Sequence, residues 1–251
     1  METKKIEVII KDLTQVFFEA GDLSIELRNK GLTKNVKKDN TPVTNGDIEV
    51  NNIILNNLKK ISPSIPIVSE ETSENKNLDL NTFWLVDPID GTYDYINNRD
   101  EFTLNAGLII NKVAVAGIIY APAKKRMFYS YGNNISYELN NSNEKVLNNK
   151  NIDKNNIRAV SYSNNLKPEI IEIHKKLRVK EYVKMKSSLK FCVIAAGEFH
   201  VYVAEPRAKE WDIAAGHAIL KNSGGTVTDL DGKEILYGKN GFKNPGIILK
   251  S

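Results

Sequence analysis

The segment Phe83-Trp84-Leu85-Val86-Asp87-Pro88-Ile89-Asp90-Gly91-Thr92 constrains the fold more than any other stretch of the chain. Residues 82–86 read as a short apolar strand, and that strand delivers Asp87. Pro88-Ile89 separates Asp87 from a second aspartate, Asp90. Two carboxylates held together at the end of a strand are costly unless something positive sits between them. Magnesium, or a related hard cation, meets that demand through oxygen ligands. Gly91 and Thr92 then enter a helical turn, where their backbone N–H groups can hold a phosphate oxygen. An aspartate cap and a turn glycine would account for Asp90-Gly91 alone, but not for the whole string.

Three other segments carry carboxylates in suggestive places. Ser69-Glu70-Glu71 follows a short buried strand at 67–68. Paired glutamates are ordinarily surface charge, but beside a metal site one of them becomes a candidate ligand. In Glu210-Trp211-Asp212-Ile213-Ala214-Ala215-Gly216, Asp212 stands where an apolar helix begins. It reads as an N-cap or as a third carboxylate for the same cluster. In Pro42-Val43-Thr44-Asn45-Gly46-Asp47, Asp47 reads by default as the N-cap of a second helix.

Around these segments the chain reads as α/β or mixed α+β. Ile6, Ile9, Ile10, Leu13, Phe17, Ala20, Leu23 and Leu27 recur at helical steps and predict a helix over 6–27. Val50, Ile54, Leu58 and Ile61 form the apolar face of the second helix, which Pro63 and Pro66 end. Residues 102–110 and 112–120 predict a hairpin around Asn111-Lys112, with further strands at 127–131 and 135–139. Residues 140–156, rich in Asn and Lys, are either a domain linker or a polar loop. Beyond them strands are expected at 158–161, 182–185, 199–203, 226–230 and 246–249, with helices at 168–177, 189–196 and 212–221. No internal repeat is evident.

Composition narrows the class. The 251 residues include one cysteine, Cys192, which excludes an internal disulfide and a cysteine-built metal centre and suits a reducing compartment. Met1-Glu2-Thr3-Lys4-Lys5 leads into a charged segment without the apolar core of a signal peptide. The longest apolar runs, at 114–120 and 191–196, are too short to span a bilayer. A soluble cytoplasmic protein with no transmembrane segment is expected. The net charge of +4 comes from scattered lysines and reads as a solvated surface, not a nucleic-acid-binding face. Mild attraction for a polyanionic small substrate stays open.

Together the four carboxylate segments resemble the lithium-sensitive, magnesium-dependent phosphatases of the inositol monophosphatase superfamily. The pattern Trp, two variable residues, Asp-Pro-Ile-Asp-Gly-Thr stands at Trp84 to Thr92, and Trp-Asp-X-Ala-Ala-Gly stands at Trp211 to Gly216. The likeness runs from about Val36 to the C-terminus. Several details are similar to the bacterial 3′(2′),5′-bisphosphate nucleotidases of the CysQ type. They are Thr41-Pro42-Val43-Thr44 with Asp47, Val68-Ser69-Glu70-Glu71, and Glu101-Phe102-Thr103-Leu104-Asn105. Ser187-Ser188-Leu189-Lys190-Phe191-Cys192, Glu210-Trp211-Asp212 before Gly216-His217-Ala218, and Asn244-Pro245 complete the set. Tyr93-Asp94-Tyr95 departs from the usual Lys-Glu-Phe, and Gly132-Asn133-Asn134 is a reduced Gly-rich stretch. These departures touch the leaving group, not the metal site.

The resemblance implies a layered αβαβα sandwich with two halves. Residues 1–150 would carry Glu70, Asp87 and Asp90, residues 151–251 would carry Asp212, and the site would lie in the cleft between them. It implies magnesium, two ions or three with a weaker third, held by Glu70, Asp87, the carbonyl oxygen of Ile89, Asp90 and Asp212. Two ions roughly 3.5–4 Å apart could clamp an in-line displacement by water. Thr92 and Glu70 would orient that water, Asp47 would polarise Thr92, and Gly91 and Thr92 would hold the phosphate. Ser187 and Lys190 are candidates for a second phosphate or a ribose, with Arg207 and Lys209 weaker. Cys192 is expected in the core, His174 and His200 at the surface or a strand end, and His217 on a helix face. The function implied is hydrolysis of the 3′-phosphate of adenosine 3′,5′-bisphosphate, in sulfur metabolism. An inositol or sugar monophosphatase with the same metals, and a non-catalytic metal- or phosphate-binding module, are the alternatives. Monomer and homodimer both remain open.

Overall fold

The computed structural model describes residues 2–37, 40–73, 80–140, 143–147 and 155–251. The first part of the chain contains α1 (Thr3–Lys30), β1 (Lys34–Val36), β2 (Pro42–Thr44), α2 (Asn45–Ile61), β3 (Ile67–Ser69), β4 (Thr82–Asp90) and the short α3 (Thr92–Ile96). It continues through β5 (Thr103–Ile110), β6 (Val113–Ala121), β7 (Arg126–Ser130), β8 (Tyr137–Asn140) and β9 (Asn143–Val146). The second part contains β10 (Ile157–Ser161), α4 (Pro168–Lys176), β11 (Val179–Lys184), α5 (Leu189–Ala195), β12 (Val201–Ala204), α6 (Glu210–Asn222), β13 (Thr226–Asp229) and β14 (Ile247–Lys250).

Among the described residues, β3 to β9 form a seven-stranded sheet in chain order, with β3 parallel to β4 and the rest antiparallel. A five-stranded sheet runs β11-β10-β12-β14-β13, and β1 and β2 form a small ribbon. The alternation along β4 shows how the layers stack. Trp84 and Val86 join the core shared with α1 and α2, whereas Phe83 and Leu85 join the core shared with α5 and α6. That second core also takes Val160, Tyr202, Ile247 and Leu249 from the five-stranded sheet. A smaller core places Ile170 of α4 against Val201 and Val203 on the outer face of that sheet. The order is therefore α1/α2, large sheet, α5/α6, small sheet, α4, the expected αβαβα sandwich. Among the described residues, no helix is long and apolar enough to cross a membrane.

The middle layer is the tightest. α6 is buried on nearly every side, as a helix between two sheets must be. It lies so close to β5 and β6 that a Cβ on Gly107 would stand 2.7 Å from Ala214 Cβ, and one on Gly117 would stand 2.7 Å from Ala215 Cα. Ala214-Ala215-Gly216 is thus a packing device, with Gly216 accommodating Phe191 of α5. Gly107→Ala is expected to destabilise the protein by about 1–3 kcal/mol, the usual range for overpacking. A urea midpoint equal to wild type would contradict this close approach.

Several expectations need correcting. The strand expected to stop at Val86 continues to Asp90. Thr44, not Asp47, caps α2, and Asp47 is the third helical residue, which closes a capping box: its Oδ2 accepts from the Thr44 N–H at 2.7 Å. Asp212 is likewise inside α6, where its Oδ2 accepts from Lys209 N–H at 2.8 Å. In both places a longer reach lets one carboxylate oxygen satisfy the helix start while the side chain stays inward. The stretch 140–156 is not wholly loop or linker, because β9 occupies part of it. The boundary expected at 150/151 lies outside the described residues.

Candidate active site

Asp87 and Asp90 are three residues apart, so a regular strand would point them to opposite faces. The register prevents this. Asp87 pairs with Asn105 and Asp90 pairs with Thr103, so three steps on β4 face two on β5. The extra residue is a bulge at Pro88-Ile89, a place where a strand tolerates proline. Both aspartates therefore emerge on the face toward α6. Glu70 arrives beside them because β3 runs parallel to β4 and the ladder continues through Glu70 N–H to Val86 carbonyl oxygen, at 3.0 Å. Asp212 comes from the first turn of α6, brought close by the glycine and alanine contact with β5 and β6.

Carboxylate oxygens of Glu70, Asp87 and Asp212 lie within 4.8 Å of one another. Asp87 is 1% exposed, and its Oδ1 is buried without a hydrogen-bond partner. Burial pushes Asp87 well above the ordinary carboxylate range, and the neighbouring Glu70, Asp90 and Asp212 push it further. Asp212 is raised by burial, then by Asp90 and Glu70. Burial raises Asp90 to about 6 against the pull of the Lys190 ammonium. Lys37 reaches Glu70 and Glu71, at 2.8 and 2.7 Å. Glu71 is still raised to about 7 by burial. An all-oxygen cluster with an orphaned buried carboxylate oxygen is the donor set a hard divalent cation takes. The residues fit such an ion.

These shifts predict an inverted pH dependence for the metal-free protein. Asp87, Asp90 and Asp212 have folded pKa values above the unfolded value of 3.8. Across the window from about pH 4 upward through those values, the folded state binds more protons than the unfolded chain, so their contribution falls as pH rises. A bound cation favours the ionised forms and reverses the trend. The rise in melting temperature on adding Mg²⁺ is expected to be larger at pH 8 than at pH 5. A larger rise at pH 5 would contradict the cluster as the binding site.

Thr92, the first residue of α3, sits on the same side. Its Oγ1 lies 3.1 Å from Asp47 Oδ1 and 3.1 Å from the Ile89 carbonyl oxygen, and its single proton serves one acceptor at a time. Asp47 is 1% exposed, and its other oxygen takes the Thr44 N–H and hydroxyl, at 2.7 and 2.6 Å. Burial raises Asp47, while the Thr44 and Thr92 hydrogen bonds pull it down. Gly91 precedes Thr92 at φ 94°, in the left-handed region that glycine reaches without steric cost. Tyr95 anchors α3 by donating to the Ser24 carbonyl oxygen at 2.7 Å, and Gly46 leaves room for its ring.

A cavity of about 340 Å³ opens from this cluster toward the second half. Asp90, Gly91 and Asp212 line it together with Lys186, Ser187, Ser188, Lys190 and Arg207. Lys190 is buried and its ammonium lies 5.2 Å from the Tyr202 ring centroid, donating to the Ser187 carbonyl oxygen. Burial lowers it to about 8. Arg207 stacks 4.2 Å above Tyr162. Ser187 adopts φ 53°, which turns the chain so that Ser188 N–H donates to Asp90. Ser188 Oγ also meets Thr103 and Asn105, and Lys186 N–H donates to Glu101 at 3.0 Å. The two separate motifs at 101–105 and 187–192 therefore interlock.

Sequence reasoning missed Ser188, Lys186, Tyr162 and Tyr202. Ser188 stood inside a quoted motif, and only its contacts distinguish it from Ser187. Lys209 is not brought to the cavity; its ammonium donates to the Gly241 carbonyl oxygen at 2.9 Å. Cys192 is core. His217 is buried on α6, 2.9 Å from the Tyr237 hydroxyl, and burial lowers it to about 3. His174, expected at the surface, is 6% exposed and packs against Tyr182. His200 Nδ1 accepts from Arg158 N–H at 3.0 Å at a strand end.

Comparison with known proteins agrees with this architecture. The family model described as the inositol monophosphatase family matches residues 5–248. A protein named 3′(2′),5′-bisphosphate nucleotidase CysQ from Buchnera aphidicola subsp. Acyrthosiphon pisum (strain APS) is 36% identical over 234 residues, covering 91% of this chain and 87% of that one. Its namesake from Salmonella typhimurium is 32% identical, covering 95% and 98%. The crystal structure of CysQ from Bacteroides thetaiotaomicron, described as a bacterial member of the inositol monophosphatase family, superposes with a TM-score of 0.77 at 27% identity and covers 94% of each chain. The chain belongs to the inositol monophosphatase family.

Proposed function

We propose that this protein is a magnesium-dependent cytoplasmic hydrolase that removes the 3′-phosphate of adenosine 3′,5′-bisphosphate, yielding AMP and phosphate. The observation that carries this reading is the cavity that Asp90 and Asp212 of the acidic site line together with Lys186, Lys190 and Arg207. A monophosphate needs only the acidic site. A bisphosphate also places its second phosphate on the cations. The relatives named as bisphosphate nucleotidases support the same substrate.

Glu70, Asp87, Asp90, Asp212 and the carbonyl oxygen of Ile89 would hold two Mg²⁺ ions, or three. When bound, the ions neutralise phosphate charge and lower the pKa of the attacking water. The protein's own residues do the positioning. Thr92 donates its proton to Asp47, which leaves the Thr92 oxygen free to accept from a water. Asp47 is itself held by Thr44, so the acceptor does not wander. Glu70 orients the same water from β3, and the Gly91 and Thr92 N–H groups hold phosphate oxygens. Ser187 and Lys190 grip the ribose side or the second phosphate. The reaction then rests on orientation and charge stabilisation, with no covalent phosphoenzyme.

Phosphate release from adenosine 3′,5′-bisphosphate, inositol monophosphate and a sugar phosphate, with Mg²⁺ and with chelator, tests this reading. The bisphosphate is expected to turn over fastest, and chelator to stop all release. Much faster hydrolysis of inositol phosphate would overturn the substrate, and no release from any of the three would overturn the enzyme.

A further inference from the structure

Asn105 is 1% exposed and stands directly opposite Asp87 across the β4–β5 pair. Its Oδ1 accepts the Ser188 hydroxyl proton. With that proton committed, Thr103 Oγ1 donates to Ser188 Oγ at 2.8 Å. The same Ser188 donates its N–H to Asp90. The other end of the amide, Asn105 Nδ2, is buried without a partner, and so is Asp87 Oδ1. These two atoms are not hydrogen-bonded to each other, so the amide is held through its oxygen, by the Ser188 hydroxyl.

We propose that Asn105 is a positioning residue that holds Asp90 through Ser188. The inference rests on the metal-site reading above. A ligating carboxylate uses one oxygen for its cation, and the other must be held if the ligand is to keep its direction. Asn105 does this for Asp90 from the neighbouring strand, with Ser188 between them. Through Ser188 it also ties the aspartate-bearing strand to the start of α5, so the two halves of the cleft share one hydrogen-bonded chain.

The test is calorimetric Mg²⁺ titration of the full chain as wild type, Asn105→Ala, Ser188→Ala and the double variant. Each single variant is expected to bind Mg²⁺ roughly 10–100-fold more weakly, the effect of losing a residue that orients a ligand. The double variant is expected to lose less than the product of the singles, because both act through one chain. A merely structural role would lower the metal-free melting temperature and leave Mg²⁺ affinity alone. Affinity within about twofold of wild type in Asn105→Ala, with wild-type circular dichroism, would overturn the proposal. Should Asn105→Ala not fold, unchanged affinity in Ser188→Ala overturns it equally. Absence of Mg²⁺ binding by the wild type would overturn this proposal and the metal-site reading together, whereas wild-type binding with unchanged variants overturns this one alone.

Discussion

Asp90→Asn is expected to lower phosphate release by about 10²–10³-fold, the range for losing one preorganised charge partner of a transition state. The metal-free variant is expected to melt no lower than wild type. The physical reason is that Asp90 is an electrostatic liability without its cation. Burial and Glu70 raise it, while the Ser188 N–H and Lys190 only partly offset them. An asparagine keeps an oxygen for the Ser188 N–H and removes one negative charge from beside Glu70, Asp87 and Asp212. The same removal weakens cation binding, so function falls while the fold persists. Near-wild-type turnover would refute the metal assignment of Asp90, and a lower metal-free melting temperature would refute the electrostatic account.

Lys190→Ala separates the substrate reading from the metal reading. Lys190 lines the cavity, buried beside Tyr202 and Ser187. A charged hydrogen bond to a second phosphate contributes about 1.5–3 kcal/mol. KM for adenosine 3′,5′-bisphosphate should therefore rise roughly 10–100-fold. KM for a monophosphate should rise much less, because such a substrate has no second phosphate for Lys190 to hold. Lys190 also pulls down the Asp90 pKa, so its loss could harm the metal site instead. That would affect both substrates equally. Steady-state kinetics with the two substrates distinguishes these outcomes, and equal effects would remove the argument for a second-phosphate subsite.

Much of the candidate site was legible because its signals are local. Asp87 and Asp90 stand in one short string, and their chemistry demands a partner whatever the surrounding fold. The helices α1 and α2 were legible because one apolar face recurs at 3.6 residues per turn. Their caps were harder. Asp47 and Asp212 occupy the third helical position, where an inward carboxylate bonds back to the preceding N–H and is easily mistaken for the cap itself. The strand boundary at Val86 was misplaced for a related reason. Proline ordinarily ends a strand, and a bulge that carries the pairing on to Asp90 has no signature in single-residue preference.

Cavity residues were legible only in part. Lys190 stood out as a charge in an apolar run and Arg207 as a weaker candidate near Asp212, but Lys186 looks like any other basic residue among 35 lysines and arginines. His174 misled because it was read by residue type; it lies on the stripe of Ile170, Ile173 and Leu177 that α4 packs inward, and a histidine there is tolerated in its neutral form. The role of Ala214-Ala215-Gly216 was hidden similarly. Small residues in a helix read as weak helix signals, and their use appears only when β5 and β6 approach within contact of the helix backbone.

The sequence by itself determined the chemistry available. Oxygen ligands, no thiolate pair, and a threonine beside the aspartates are properties of residue type and short spacing. The tertiary structure decided which of those groups meet. Glu70, Asp87 and Asp212 converge because two parallel neighbouring strands and a closely packed helix each deliver one carboxylate, and the bulge turns Asp90 to the same face. Ser188 and Asn105 become partners across 83 residues of chain. Such convergence depends on register and layer spacing, which are set by the packing of whole sheets and helices and are written in no single segment.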